Sequence, residues 1–157
     1  MAGVLLSGLL WAGAQQITPP AGGASKAAGY VTYAAEPQTV KAGKSSELEL
    51  HFRVREGFHV NSHTPSSELL IPTAMKLQPA EGVKAADVIY PVGTKYSFSF
   101  EPKEKLDVYT GTFTVKIPVT ATAGEHTVDA SLRYQACDSA ACYPPKTLPV
   151  QVVFTAK

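Results

Sequence analysis

Two cysteines are the most reactive side chains of this chain. Cys137 and Cys142 are the only cysteines among its 157 residues, and the segment Asp138 to Ala141 separates them. Thiols at the base of a short loop can reach disulfide distance, and such a bridge is either a structural staple or an exchangeable redox couple. A ring this small stabilises a fold by only about 2 kcal/mol in the chain-entropy model. The spacing therefore leaves both functions open, although a chain of this length has little need of a staple.

The charges on the two sides of the pair differ. Asp138 follows Cys137 directly and opposes formation of a thiolate there, whereas Lys146 is the cation nearest to Cys142 in the sequence. The thiolate is the form of cysteine that attacks a disulfide. This pattern favours Cys142 as the nucleophile.

The histidines are poorly placed for a metal site that includes the cysteines. Structural zinc usually takes its four ligands as two close pairs, and none of the histidines adjoins a cysteine. His51 lies on the polar face of a predicted strand, where a solvated histidine is ordinary, and only His59 and His63 flank a common loop. A cysteine–histidine nucleophile stays open, because its histidine can be distant in sequence; a second cysteine nearby would tend to quench it as a disulfide. We predict no metal and no cofactor.

Composition and charge are those of an ordinary globular protein. Apolar residues make up 45% of the chain and charged residues 17%, with a formal net charge of +1. No basic stripe with interleaved aromatic residues is present, so we predict no binding of nucleic acid.

The N-terminal residues are typical of an exported protein. The apolar run Val4 to Trp11 precedes Ala12-Gly13-Ala14, which has the small-x-small form of a signal-peptidase site, although a basic n-region is lacking. We predict a signal peptide over residues 1–14 and a flexible, Pro- and Gly-rich linker over 15–29. No other segment approaches the roughly 18–20 apolar residues of a membrane span. We expect a soluble protein without a direct membrane span, in an oxidising compartment where cysteines can pair.

Residues 30–157 contain short alternating segments and no convincing helical periodicity. The clearest strand is Ser46 to Val54, with an apolar residue at every second position. Seven to nine such strands, separated by turn residues, predict a single all-β domain with the architecture of an immunoglobulin-like β-sandwich.

Less regular segments give weaker predictions. A hairpin is expected around Thr110-Gly111, a strand bent at Pro72 over Leu69 to Leu77, and a solvated loop over Glu101 to Lys105. Strict alternation from Glu125 to Ala136 would turn Cys137 away from the core face of that strand.

The cysteine segment also resembles a known family. Tyr134-Gln135-Ala136-Cys137 followed by Cys142-Tyr143-Pro144-Pro145 is similar to the active-site segment of the N-terminal periplasmic domain of the thiol:disulfide interchange protein DsbD. Gly57 to Ser62 and Leu70 to Thr73 resemble further segments of that domain, so the similarity covers Tyr30 to Phe154. Some members of the family have one more residue between the cysteines. Full-length DsbD also has a transmembrane domain and a thioredoxin-like domain that this sequence lacks, so the chain is either a stand-alone homologue or a fragment.

The resemblance implies a periplasmic dithiol/disulfide relay, with a component role in protein-disulfide reduction. A thioredoxin-like donor would reduce the Cys137–Cys142 disulfide, and the dithiol would reduce a periplasmic disulfide isomerase or a cytochrome c maturation thioredoxin. By family analogy Cys142 forms the mixed disulfide with partners and Cys137 resolves it. The family also shields its cysteines with an aromatic cap loop. Candidates for shielding are Phe98 and Phe100, with Phe100 favoured, and the neighbouring Tyr134 and Tyr143, of which Tyr134 is better explained as core.

A rival hypothesis comes from a different functional class. The chain would then be an exported immunoglobulin-like binding or accessory module whose disulfide is purely structural. Such a bridge would have a reduction potential below roughly −300 mV and would resist the glutathione pool.

Overall fold

A computed structural model of the chain describes residues 29–99 and 101–157. The predicted signal peptide, all but the last residue of the predicted linker, and the cap candidate Phe100 lie outside these residues. Within the described ranges the secondary structure is entirely β and comprises twelve strands. They are β1 Val31–Ala34, β2 Gln38–Val40, β3 Ser46–Val54, β4 His59–Asn61, β5 Ala74–Leu77, β6 Val83–Ala85, β7 Thr94–Phe98, β8 Glu101–Tyr109, β9 Thr112–Ala121, β10 Gly124–Tyr134, β11 Ala136–Cys137 and β12 Lys146–Ala156.

The strands form three four-stranded sheets. Their strand orders are β1-β3-β9-β6, β2-β12-β10-β5 and β11-β4-β8-β7. We call them the β3–β9 sheet, the β10–β12 sheet and the cysteine sheet. All neighbours pair antiparallel except β2 and β12, which pair parallel. The predicted all-β, immunoglobulin-like sandwich is confirmed.

The main core is built from alternating residues of the two larger sheets. In β3, the apolar residues Leu48, Leu50, Phe52 and Val54 are buried, while the charged residues between them face outward. Across the ladder, Leu50 opposes Val115 of β9. The inward face of β10 and β12 adds its own apolar residues to the same cluster. The faces predicted from alternation are therefore correct, because one apolar face and one solvated face define a strand's orientation.

Two predictions about the middle of the chain are wrong. β8 and β9 flank Thr110-Gly111 but do not pair: β8 lies between β4 and β7, and β9 lies between β3 and β6. The chain crosses between sheets at Thr110-Gly111, where the Gly111 carbonyl accepts a hydrogen bond from Val54 N at 2.7 Å. The segment Glu101 to Lys105 is a strand and not a loop, although it is exposed to solvent as expected.

The segment around Pro72 also differs from its prediction. Of the strand expected over Leu69 to Leu77, only β5 forms, and it pairs with β10. The preceding residues are held by individual hydrogen bonds instead; Thr73 N, for example, donates to Ser62 O at 3.1 Å. This irregular stretch brings Ile71 and Thr73 against the cysteine sheet.

Candidate redox site

Cys137 and Cys142 form a disulfide, with 3.9 Å between their Cα atoms. Backbone hydrogen bonds close the loop on both sides of the bridge, from Asp138 N to Ala141 O at 2.9 Å and from Tyr143 N to Ala136 O at 2.8 Å. The Asp138 carboxylate accepts from the backbone N–H groups of Ala140 and Ala141 at 2.8 and 2.9 Å. The loop is therefore ordered by its own hydrogen bonds as well as by the bridge.

The two sulfur-bearing residues differ sharply in exposure. Cys137 is 0% exposed, whereas Cys142 is exposed. β10 ends at Tyr134, and Cys137 belongs to β11, which pairs with β4 in the cysteine sheet. Ala136 packs in the main core cluster and Cys137 does not, as alternation predicted. Cys137 is nevertheless buried, because the opposite face of β11 and β4 is covered as well.

His59 lies beside Cys137 on that second face. The two residues oppose each other in the β4–β11 ladder, and His59 is only 2% exposed. Its ring centroid lies 4.0 Å from that of Tyr96 and 5.8 Å from that of Phe98. Burial lowers the pKa of His59, and the nearby Asp138 carboxylate acts in the opposite direction. Its Nε2 atom is buried and has no hydrogen-bond partner among the residues that the structure describes.

The β7–β8 hairpin supplies the aromatic cover. Phe98 is half-buried at the end of β7 and contacts the ring of Tyr96 edge-on, with 5.5 Å between the centroids. The ladder between β7 and β8 shifts register between Tyr96 and Phe98, and both rings contact His59. Sequence reasoning named Phe98 but missed Tyr96 and His59. The Tyr96-Ser97-Phe98 alternation placed two aromatic rings on one face and was the available signal.

Tyr143 and Tyr134 have different surroundings. The hydroxyl of Tyr143 donates to Asp138 at 2.6 Å, and this bond raises the pKa of Tyr143 and lowers that of Asp138. The ring of Tyr143 stacks on Tyr30 with 5.3 Å between the centroids and contacts Phe58 at 5.9 Å. Tyr134 is buried in the main core, where its hydroxyl accepts from Tyr30 N at 3.2 Å. Tyr143 therefore belongs to the cysteine loop, while Tyr134 is a core residue.

A network centred on Gln135 links the loop to its supports. The Gln135 side chain accepts from Asn61 Nδ2 at 3.1 Å and donates to the Tyr143 carbonyl at 3.2 Å. Asn61 Nδ2 also donates to Ile71 O at 3.0 Å, and Thr73 Oγ1 donates to Asn61 O at 2.6 Å. The three segments that carry the family resemblance therefore meet at this site. Asn61 is a fully buried residue of β4.

The other histidines lie elsewhere. His51 Nδ1 is 2.9 Å from Thr114 Oγ1, and His63 stacks on Tyr90 with 3.7 Å between the ring centroids. Over residues 29–99 and 101–157, no group of three or more His, Cys, Asp or Glu is arranged to hold a metal ion. The same residues contain no helix long and apolar enough to cross a membrane.

Fold and site together define a β-sandwich that carries a disulfide between one buried and one exposed cysteine. The family model described as "Thiol:disulfide interchange protein DsbD, N-terminal" matches residues 29–153. The chain therefore belongs to the DsbD N-terminal domain family, and its Cys137–Cys142 bridge lies within the matched residues. Domains of this family undergo thiol–disulfide exchange with thioredoxin-like partners.

Two solved structures are similar to this chain. The N-terminal periplasmic domain of ScsB from Proteus mirabilis has a TM-score of 0.52 and 10% identity, over 78% of this chain and 44% of that one. At that identity the likeness shows a shared fold, and this chain spans less than half of the ScsB structure. The reduced DsbD N-terminal domain of Neisseria meningitidis has a TM-score of 0.47 and 19% identity, over 74% of this chain and 86% of that one. No curated protein matches the chain.

Proposed function

We propose that this chain is a periplasmic thiol–disulfide exchange domain. It accepts electrons from a thioredoxin-like donor and passes them to periplasmic disulfide oxidoreductases, such as a disulfide isomerase or a cytochrome c maturation thioredoxin. The observation that carries the proposal is the unequal exposure of the two linked cysteines. An exchangeable disulfide needs one sulfur that a partner thiolate can reach, and Cys142 meets that requirement.

The proposed exchange cycle has two halves, reduction of this domain by the donor and reduction of the acceptor by this domain. Each cysteine has the same role in both halves. A donor thiolate attacks Cys142 Sγ, the disulfide breaks, and Cys137 leaves as a thiolate that takes up a proton. A second donor thiolate then releases the domain as a dithiol. In the other half, the Cys142 thiolate attacks the acceptor's disulfide, and Cys137 displaces the acceptor from the mixed disulfide.

Local electrostatics support this assignment. The Asp138 carboxylate is held next to Cys137 by Tyr143 and two backbone N–H groups, and its charge disfavours a thiolate on Cys137. Lys146 Nζ lies over the ring of Tyr30, 4.9 Å from the centroid, and that ring stacks on Tyr143 beside Cys142. The cation is thus linked to the Cys142 side of the loop through Tyr30 and Tyr143, while Asp138 directly follows Cys137 in the chain.

The β7–β8 hairpin is the proposed cap of the site. Tyr96 and Phe98 contact His59 on the Cys137 side of the disulfide, and Phe100 is two residues further along the sequence. Closure over this side keeps water and unrelated thiols away from Cys137, while the partner reaches Cys142.

Domain limits and location complete the proposal. The family match over residues 29–153 supports a domain over 30–157, preceded by a signal peptide at 1–14 and a linker at 15–29. The periplasmic origin of the similar ScsB domain and the apolar N-terminal run support export to the periplasm.

Trapping a mixed disulfide tests the roles of the cysteines. Cys137→Ala leaves Cys142 without its resolving partner, so this variant should accumulate a covalent complex with a thioredoxin-like domain that has also lost its resolving cysteine. The matched variant is Cys142→Ala, whose remaining thiol is buried and should trap little. Trapping by Cys142→Ala alone would reverse the assignment.

Measuring the reduction potential against thioredoxin tests the function itself: a value below roughly −300 mV would identify a structural bridge.

A further inference from the structure

The buried face beside Cys137 contains a side chain that the exchange cycle above does not use. His59 opposes Cys137 directly in the antiparallel β4–β11 ladder. Directly opposed residues place their side chains on the same side of the sheet, with Cβ atoms about 4.5–5.5 Å apart. The imidazole of His59 and the Cys137 sulfur are therefore neighbours, and both are closed off from solvent.

The hydrogen bonding of His59 is incomplete while the disulfide is intact. Its Nε2 atom is buried and has no partner among the described residues. Buried polar atoms are normally paired, so an unpaired one calls for an explanation. A disulfide carries no hydrogen to donate, but reduction would give Cys137 an S–H group on the same face. The unpaired nitrogen thus fits a partner that exists only in the dithiol state.

The groups packed around His59 determine its charge. Tyr96 and Phe98 cover the ring from β7, and Asp138 is the nearby charged group, at the end of β11. Burial lowers the pKa of His59 more than the Asp138 carboxylate raises it, so the neutral imidazole prevails at neutral pH. A neutral imidazole has one nitrogen lone pair free to accept a proton.

We propose that His59 is the acid–base residue for Cys137. This inference rests on the proposed function and concerns its resolving step. When an acceptor is joined to Cys142, His59 Nε2 takes the proton from Cys137 S–H, and the resulting thiolate attacks Cys142 Sγ. The Cys137–Cys142 bond forms, the bond from Cys142 to the acceptor breaks, and the acceptor leaves as a thiolate. In the reverse direction the protonated imidazole returns that proton to Cys137 as the disulfide is reduced.

A resolving reaction with a small-molecule reagent tests the proposal. The reduced full chain is treated with one equivalent of 5,5′-dithiobis(2-nitrobenzoate), and Cys142 forms a mixed disulfide with release of one thionitrobenzoate. Cys137 then resolves this mixed disulfide and releases a second thionitrobenzoate. Stopped-flow absorbance measures the rate of the second release. His59→Gln should slow this second release by roughly tenfold or more at pH 7, within the range of general-base catalysis. The difference in this rate between His59→Gln and wild type should shrink at high pH, where solvent deprotonates the Cys137 thiol. His126→Gln is the matched control, since His126 lies on β10 and its Nε2 is 2.7 Å from Thr122 O. If the rate of the second release depends on pH in the same way in both variants, the proposal is overturned.

A second measurement uses the unaltered chain and does not depend on how a variant folds. Long-range ¹H–¹⁵N spectra of the oxidised and reduced forms should show the His59 Nε2 resonance shift on reduction, as it gains the Cys137 S–H donor. His51 and His126 should stay unchanged. Equal and small shifts for all three would refute the inference. Neither experiment uses a protein partner. A failure to trap a thioredoxin-like domain would therefore count against the proposed function, whereas a negative result here would count against the role of His59.

Discussion

The strand pairs β3–β9 and β4–β11 differ in whether they bury polar side chains. Every buried residue of β3 and β9 is apolar. In contrast, β4 and β11 bury His59 and Asn61 beside Cys137, and Ser62 follows directly. His59 Nε2, Asn61 Oδ1 and Ser62 Oγ all lack a hydrogen-bond partner within the described residues.

This difference separates the residues that stabilise the fold from those that serve the site. Burying apolar surface is favourable, at about 25 cal/mol per Å², whereas an unpaired buried polar group costs about 1–3 kcal/mol. The polar surroundings of Cys137 therefore reduce the stability of the domain, and the apolar β3–β9 pair compensates for them. Substitutions in the two pairs should consequently affect different properties.

The largest loss of stability is expected from Phe52→Ala in β3. Phe52 is 1% exposed, and its ring stacks on Phe113 with 5.3 Å between the centroids. Removing a buried phenyl ring costs about 3–5 kcal/mol, to be measured by urea denaturation of the oxidised protein. The rate at which dithiothreitol reduces the folded variant should stay within twofold of wild type. A large change in that rate would show that the two strand pairs are not independent.

A smaller loss, coupled to reactivity, is expected from Asn61→Ala. This change removes the donor to Gln135 and Ile71 and should cost about 1–3 kcal/mol by the same measurement, because buried partners are left unpaired. It should also alter the rate of disulfide reduction, since Gln135 holds the loop at Tyr143. Gln38→Ala is the control: the Gln38 amide also makes two hydrogen bonds, both to the backbone of Glu49, but these bonds are exposed to solvent. Equal effects of the two variants would contradict the distinction.

Asp138→Asn should change how stability depends on pH. Hydrogen bonds from Tyr143 and from the N–H groups of Ala140 and Ala141 lower the folded-state pKa of Asp138. A lowered carboxyl pKa stabilises the folded state above the unfolded value near 3.8, and this contribution is lost as the pH falls through the folded-state pKa. The stability difference between wild type and Asp138→Asn should thus shrink in acid, measured by thermal melts across pH 2–7. A constant difference would contradict the prediction.

The smallest effect is expected on the outer face of the β3–β9 pair. Lys116 pairs with Glu47 at 3.1 Å and Glu49 at 3.2 Å, and the three side chains are between 41% and 48% exposed. Exposed ion pairs contribute little because water and salt screen them. Lys116→Ala should leave the urea midpoint unchanged within error. A loss as large as that of Asn61→Ala would show that outward-facing charges, too, stabilise this pair.

Sequence alone predicted the apolar pair better than the cysteine sheet, for a physical reason. β3 was predicted to the residue, because regular alternation between water and core leaves a strong local signal. The crossover at Thr110-Gly111 was missed because turn residues indicate a reversal of the chain, not the strand that will lie alongside it. Sheet partners are decided by distant contacts.

At the site, the chemistry was predictable but its surroundings were not. The cysteines and the Tyr134-Gln135 lead-in indicated the family, and the family match confirms it. His59 and Asn61 were missed as supporting residues, since polar residues near Gly57 indicate a loop, and their burial depends on β8 and β11. Their position inside the family-like segment Gly57 to Ser62 was the only available signal.

In the proposed exchange cycle, the backbone hydrogen bonds that close the cysteine loop would also govern how long a partner stays attached. Asp138 N to Ala141 O and Tyr143 N to Ala136 O do not involve sulfur, so they can hold the loop when the disulfide opens. Cys137 then faces the mixed disulfide on Cys142 at a high effective concentration, and resolution is intramolecular. Covalent complexes of the unaltered domain should be short-lived, with turnover limited by how often partners meet and not by how slowly they part.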